Sequence, residues 1–265
     1  MKRLLLLLSL GVLAISPAFA IDYEGLTLDV ANETALGPPT DFGPAVFMVD
    51  YSNVTSFLGS GVANGGATLQ GTNTITKLMA DDIVPTGANA GYDVVQFKFS
   101  VVNFNSVPLT FRPRVRFWLA DGAGGAPGTY YSVPAAVGYT FNPVTMNAGS
   151  ATIFTATIPA GQFTMPGVPF WAGMTFDNNG GATGATAAQL NNLGQALFNP
   201  PTIGTSADQF FLTQAAGSFF PTNNPAGSLA NLGGNPPANF GWEFTVDVPV
   251  GVEDGSWSTI KGLFR

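Results

Sequence analysis

The chain has 265 residues, 9 of them Lys or Arg and 16 Asp or Glu, for a formal net charge of −7 with no His and no Cys. So acidic a chain is a poor match for nucleic acid, and without His or Cys it has no Ser-His-Asp triad, no ordinary structural zinc site and no disulfide framework. Only 9% of residues are charged while 22 are Phe, so burial of an aromatic core has to hold the fold.

Lys2 and Arg3 open the chain, an apolar run follows from Leu4 to Ile15, and Ser16-Pro17-Ala18-Phe19-Ala20 supplies a small-residue cleavage pattern. This predicts a secretory signal peptide over 1–20, cut after Ala20, because the run is shorter than the roughly 20 residues of a spanning helix. The mature protein is then expected to be secreted or at the cell surface, and not an integral membrane protein. Residues 21–251 read as one domain, since sandwiches of about 200–250 residues are commonly single domains; residues 252–265 form a tail.

In chain order, strands are expected from Gly25 to Val30 and from Ala45 to Tyr51, on either side of Gly37-Pro38-Pro39. The Gly, Ala, Thr and Asn of Ser60 to Gly71 suit a loop. A strand from Asn73 to Ala80 is expected to end at Asp81-Asp82. Tyr92 to Phe104 then alternates, with Asp93, Val95, Phe97, Phe99 and Val101 on one face and Gln96, Lys98 and Ser100 on the other. A short turn, 105–109, predicts a hairpin with the strand Phe111 to Asp121. There Phe111, Val115, Phe117 and Leu119 alternate with Arg112, Arg114, Arg116 and Trp118, the period of a strand with one buried face. Pro113 cannot donate to a ladder, which places this strand at an edge or at a bulge. In the hairpin, Lys98 would join the three arginines on one outer face.

Asp121 to Gly128 reads as a flexible turn, with strands following at Tyr130 to Val133, Tyr139 to Asn142, Ala151 to Ile158 and Phe170 to Asp177. Thr186 to Phe198 carries Leu190, Leu193 and Leu197 at helical spacing before Asn199-Pro200-Pro201, so it predicts a helix. Residues 202–239 read as a long ordered loop packed by its aromatics. In the last strand, Phe240 to Val250, Phe240, Trp242, Phe244, Val246 and Val248 alternate with Gly241, Glu243, Thr245 and Asp247. No fixed-period repeat is present. The pattern is that of an all-β chain: a β-sandwich of jelly-roll type with one short helix and long Gly/Pro/Asn-rich loops.

Four segments carry a resemblance: FLGSGVANGGATLQGTNTITKLMADD at 57–82, RPRVRFWLADGAGGAPGT at 112–129, FWAGMTFDNNGGATGATAAQLNNLGQ at 170–195 and NFGWEFTV at 239–246. Together they resemble the body of exported bacterial proteins of unknown function that carry PEP-CTERM or other interchangeable C-terminal sorting signals. The resemblance implies a place at the cell surface or in an exopolysaccharide matrix more than an activity. The tail departs from that family, because Val248-Pro249-Val250-Gly251-Val252-Glu253-Asp254 leads to no Val-Pro-Glu-Pro motif, apolar helix or basic cluster. Its Trp257, Ile260, Lys261, Phe264 and Arg265 instead suit a sorting segment read by export or anchoring machinery, or a terminus covering the domain's own apolar surface.

Candidate chemistry is sparse. Lys77 and Lys98 sit in no Ser-Lys motif. Glu243 and Asp247, four residues apart on a strand, lie about 13 Å apart, wider than the about 5–9.5 Å of a glycosidase pair; Asp177 is a third carboxylate for such a role. No cofactor is expected, apart from a structural Ca²⁺ at Asp177, Asn178 and Asn179, where oxygen ligands cluster although Ala188 stands where the bidentate Glu of a full calcium loop belongs. Asp81-Asp82 and Asp121 invite the same reading. Asx turns at strand ends explain all three. The basic row has two readings. Arg112, Arg114 and Arg116 would pair with Glu243 and Asp247 on a neighbouring strand, or, with Lys98 and Trp118, would hold an acidic extracellular polysaccharide by bidentate contacts and stacking. Trp171 is a further sugar platform or part of a second buried face. The resulting expectation is a non-enzymatic surface or matrix protein, structural or adhesive, with a glycan-binding module or a carbohydrate-active enzyme as the alternative.

Overall fold

The computed structural model describes residues 26–28, 45–131, 138–213 and 222–249; the expected signal peptide, the turn at 37–39, Phe219-Phe220 and the tail from Val252 lie outside them. The strands, in chain order, are β1 (Leu26–Leu28), β2 (Ala45–Ser52), β3 (Phe57–Ala63), β4 (Thr68–Gln70), β5 (Asn73–Ile75), β6 (Met79–Ile83), β7 (Asp93–Asn103) and β8 (Leu109–Leu119). They continue with β9 (Tyr139–Thr140), β10 (Val144–Met146), β11 (Ser150–Thr157), β12 (Phe170–Asp177), β13 (Leu193–Phe198), β14 (Phe210–Thr213), β15 (Gly227–Ala230) and β16 (Trp242–Pro249), with one short helix, α1 (Ala187–Leu190), before β13.

Two antiparallel sheets form an all-β sandwich. The first runs β2-β16-β7-β11, with β1 parallel to β11 at the far side. The second runs β6-β12-β8-β10. Of these eight main strands only β8 and β10 follow one another within a sheet; each other step crosses to the opposite sheet, which is the winding of a jelly roll. Additions flank this frame: β13 and β3 extend the first sheet beyond Val102 and Asn103, and β14 and β15 extend the second beyond β6.

The inner faces are aromatic. Phe97, Phe99, Phe117, Phe163, Phe170, Trp242 and Phe244 are all buried between the sheets. Phe117 stacks on Phe163 with centroids 4.6 Å apart, and Trp242 lies parallel to Phe244 at 6.0 Å. Such pairs add about 0.5–1.5 kcal/mol each beyond their area. At the opposite extreme, the start of β2 leaves Val46, Phe47 and Met48 exposed.

Several expectations are corrected. β7 and β8 are not a hairpin. They lie in different sheets and meet face to face, Phe97 edge-on to Phe117 at 5.6 Å. A period of two says which face is buried, not which strand lies alongside. A bulge opposite Thr245 and Val246 skips Val95, so Val94 and not Val95 turns inward with Phe97. β8 is no edge strand: Pro113 accepts from the Phe141 amide on the side where β10 and β9 leave a gap, so its missing N–H faces that gap and the ladder to β12 is unbroken. The expected loop at 60–71 contains the end of β3 and all of β4, and the expected loop at 202–239 contains β14 and β15. Asp81 and Asp82 lie inside β6 and do not end it.

The expected helix is half strand. Thr186 caps α1 in a capping box with Gln189, but the chain turns at Asn191 and β13 follows. Gly194 explains the switch: β13 runs so close to β3 that a Cβ there would overlap the Val62 carbonyl oxygen, and one on Gly61 would come within 2.6 Å of the Gln195 oxygen. Both faces of β13 are buried, which removes the alternation that marks a half-buried strand.

Candidate functional site

The basic row does form one line, on the outer face of the second sheet. In register with it on β12, Trp171 lies opposite Trp118, Gly173 opposite Arg116, Thr175 opposite Arg114 and Asp177 opposite Arg112. Lys98 stands on the outer face of the other sheet and is not part of this row. The expected pairing with Glu243 and Asp247 is likewise corrected: Lys98 takes Glu243, at 2.6 Å, while Arg112 and Arg114 converge on Asp177.

Asp177 is fully buried and both of its oxygens are engaged. Oδ1 accepts from Arg112 Nε and from the Asn179 amide, each at 2.8 Å. Oδ2 accepts from Arg112 Nη2 at 3.1 Å and from Arg114 Nε. Arg112 also donates to the Asn179 and Asn73 side-chain oxygens. Asn178 Oδ1 accepts from the Thr74 amide at 2.9 Å. The oxygens of Asp177, Asn178 and Asn179 thus face N–H donors, and two guanidinium groups stand where a calcium ion would meet like charge. The Asx turn expected here is present through the Asn179 amide, whereas at Asp121 the carboxylate accepts instead from the amide and hydroxyl of Thr129, eight residues on, at 2.6 Å each, which is not an Asx turn.

The row is roofed. Trp118 is 0% exposed, donates from Nε1 to the Thr222 carbonyl at 2.9 Å and packs edge-on against Tyr130. Trp171 donates to the Gly125 carbonyl, also at 2.9 Å. With Leu78, Ala80 and Phe211 these tryptophans form a second small core on the outer face. Arg116 is fully buried and donates to the Val115 carbonyl. Gly138 closes over it at a positive φ of 60°, where a Cβ would come within 2.8 Å of Arg116 Nη1. Burial lowers the pKa of Arg116 to about 10, which leaves it protonated at neutral pH, and also lowers that of Arg114, which Asp177 opposes by favouring its charge. The row is therefore not an exposed stacking platform: its aromatic end is core and its Arg112/Arg114 end is closed by Asp177.

A second polar cluster escaped the sequence reading. Asp81 lies in register with Ala172 and Phe210, both core residues, so its carboxyl points between the sheets. Oδ2 accepts from the Phe240 amide at 3.0 Å, whereas Oδ1 has no hydrogen-bond partner among the described residues. Burial, with Asp82 beside it, pushes Asp81 well above the usual carboxylate range. Asp82 faces outward, opposite Trp171, and accepts from Ser206 Oγ at 3.2 Å and the Ala207 amide at 3.0 Å; burial raises it to about 6. The available signal was the spacing Met79-x-Asp81-x-Ile83, which puts Asp81 in phase with two core positions. No family model, curated protein or solved structure matches the chain.

Proposed function

We propose that this is an exported, non-enzymatic module whose sandwich serves a structural or adhesive role at a cell surface or in an extracellular matrix. The observation that carries the reading is the closure of Arg112 and Arg114 by Asp177 at one end of the row, with the tryptophan pair roofed at the other. The groups best suited to grip a charged sugar are engaged within the fold, where they hold β8 to β12. The leader at 1–20 supports export, and the tail's Trp257, Ile260, Lys261, Phe264 and Arg265 support delivery by an export or anchoring partner.

The test has two parts. N-terminal sequencing of the protein recovered from the surface or medium should begin at Ile21; recovery only from the cell interior, with Met1 intact, overturns export. Purified protein screened against acidic and neutral polysaccharides should show neither saturable binding nor hydrolysis. Saturable binding lost in Arg112→Gln at unchanged melting temperature would instead make it a glycan-binding module, and turnover would make it an enzyme.

A further inference from the structure

β2, at one edge of the first sheet, is bare where it starts. Val46 is 48% exposed, Phe47 66% and Met48 45%, three successive apolar side chains that alternate between the faces of the sheet. Cross-strand register assigns the faces. Val46 and Met48 stand beside Val248 and Val246 on the face turned to the second sheet, while Phe47 stands beside Asp247 on the outer face, with Asp93 next in the same row. Among the described residues β2 pairs along its length with β16 alone, and its far edge is met only from Asp50 onward, by Thr86 and Ile203. An open edge flanked by apolar side chains is a template for one more strand. A segment lying on one face would miss either Phe47 or the other two; a strand along the edge borders all three.

The outer face beside this edge is also acidic. Asp93 and Asp247 lie directly opposite each other, an unfavourable arrangement of like charges, and no cation pairs with either among the described residues. Two segments outside the described residues adjoin the edge, and charge selects between them. Residues 29–44 hold Asp29, Glu33 and Asp41 and no cation, whereas residues 250–265 hold Lys261 and Arg265. This tail leaves β16 at Pro249, in register with Ala45 at the start of β2. The far side of β2 is two strand spacings away, about 10 Å, a span of three or four extended residues. At a period of two, Trp257, Lys261, Leu263 and Arg265 share one face and Ile260 and Phe264 the other. We propose that Trp257 to Arg265 adds to the open edge of β2 as a parallel strand, with Lys261 and Arg265 reaching past Phe47 toward Asp247, and Ile260 and Phe264 covering Val46 and Met48. Strand addition of this kind draws affinity from main-chain hydrogen bonds and its register from alternate side chains. It goes beyond the export reading and holds whether or not a partner reads the tail on the way out.

Tryptophan emission tests the docking. Trp118, Trp171 and Trp242 are at most 1% exposed, and Trp257 is the last of the four tryptophans, so any freely quenched fraction belongs to Trp257. In purified mature protein, acrylamide should find no such fraction. Phe47→Asp, at an exposed position outside the core, should raise quenching several-fold, and Trp257→Phe added to it should remove the increase. Lys261→Asp with Arg265→Asp should also raise quenching, and adding Asp247→Lys should restore protection, a rescue that simple apolar covering would not show. A freely quenched Trp257 in the unaltered protein, or protection indifferent to Phe47→Asp and to charge reversal, would overturn docking on this edge. Protection lost on dilution, with a dimer in sedimentation, would move the tail to a second copy and overturn docking within the chain.

Discussion

Two carboxylates on the second sheet, Asp177 and Asp81, are equally buried and answered in opposite ways. Asp177 meets two guanidinium groups, and every oxygen lone pair it turns inward has a donor. Asp81 accepts from one backbone amide and has a second carboxylate, Asp82, beside it. Removing a carboxylate from water costs several kcal/mol in either place. At Asp177 the arginines offset that cost, so the group acts as a clamp between β8 and β12. At Asp81 the Phe240 amide and the Ser206 hydroxyl offset only part of it, so burial keeps the carboxyl's pKa well above the usual range. The contrast separates a carboxylate closed by countercharges from one that, among the described residues, has none.

The largest expected effect comes from breaking the clamp. Asp177→Ala leaves two guanidinium groups without their carboxylate and should destabilise the fold by about 3–5 kcal/mol, read as a lower urea midpoint at unchanged slope. Adding Arg112→Met and Arg114→Met to Asp177→Ala should recover most of that loss, because an apolar cluster of similar volume no longer buries charge. If the triple variant is as unstable as the single one, the three residues do not act as a unit.

The two clusters were unequally legible in sequence. The alternation of Phe111, Val115 and Phe117 against the arginines marked the strand and its faces, and Phe170 to Asp177 was read with its observed ends. Asp177 as partner was hidden because pairing 65 residues apart is set by how the sheets wind, and period-two patterns do not specify which strand lies alongside. Trp118 and Trp171 read as surface because alternation assumes that one face is wet, whereas the 121–131 and 222–229 segments roof the other face. β13 failed for the complementary reason: burial on both faces erased its period and left three leucines at helical spacing. Asp81 was legible in phase but was taken as a strand terminator, because Asp is common in turns.

At the open cluster the sign reverses. Near pH 8, Asp81→Asn should stabilise the protein by about 1–3 kcal/mol: the amide oxygen still accepts from Phe240, and no charge has to be buried. Near pH 4, where the carboxyl is protonated in any case, the gain should shrink. The unaltered protein should show the same dependence. Asp82 rises from 3.8 to about 6 on folding, and burial also raises Asp81 well above its usual value. The folded state therefore binds protons more tightly, and its extra stability is present below about pH 4 and lost as pH climbs through about 6. A melting temperature that increases over that interval, after subtracting the behaviour of Asp81→Asn, would mean that Asp81 is compensated like Asp177.

The smallest effect belongs to the Lys98–Glu243 pair, the one cation–carboxylate pair on the first sheet among the described residues, and it tests whether burial or pairing sets the scale. Lys98 is 32% exposed and Glu243, also held by the Ser52 hydroxyl at 2.7 Å, is 12% exposed. Water and salt screen such a contact, and exposed pairs contribute about 0–1 kcal/mol. Lys98→Met should thus cost less than about 1 kcal/mol, and the difference should fade as ionic strength rises and the screening length shortens. The same chemistry, a basic side chain on a carboxylate across neighbouring strands, should be worth several times more at Arg112, Arg114 and Asp177. A Lys98→Met loss as large as that of Asp177→Ala would show that cross-strand pairing, not its removal from water, makes the clamp strong.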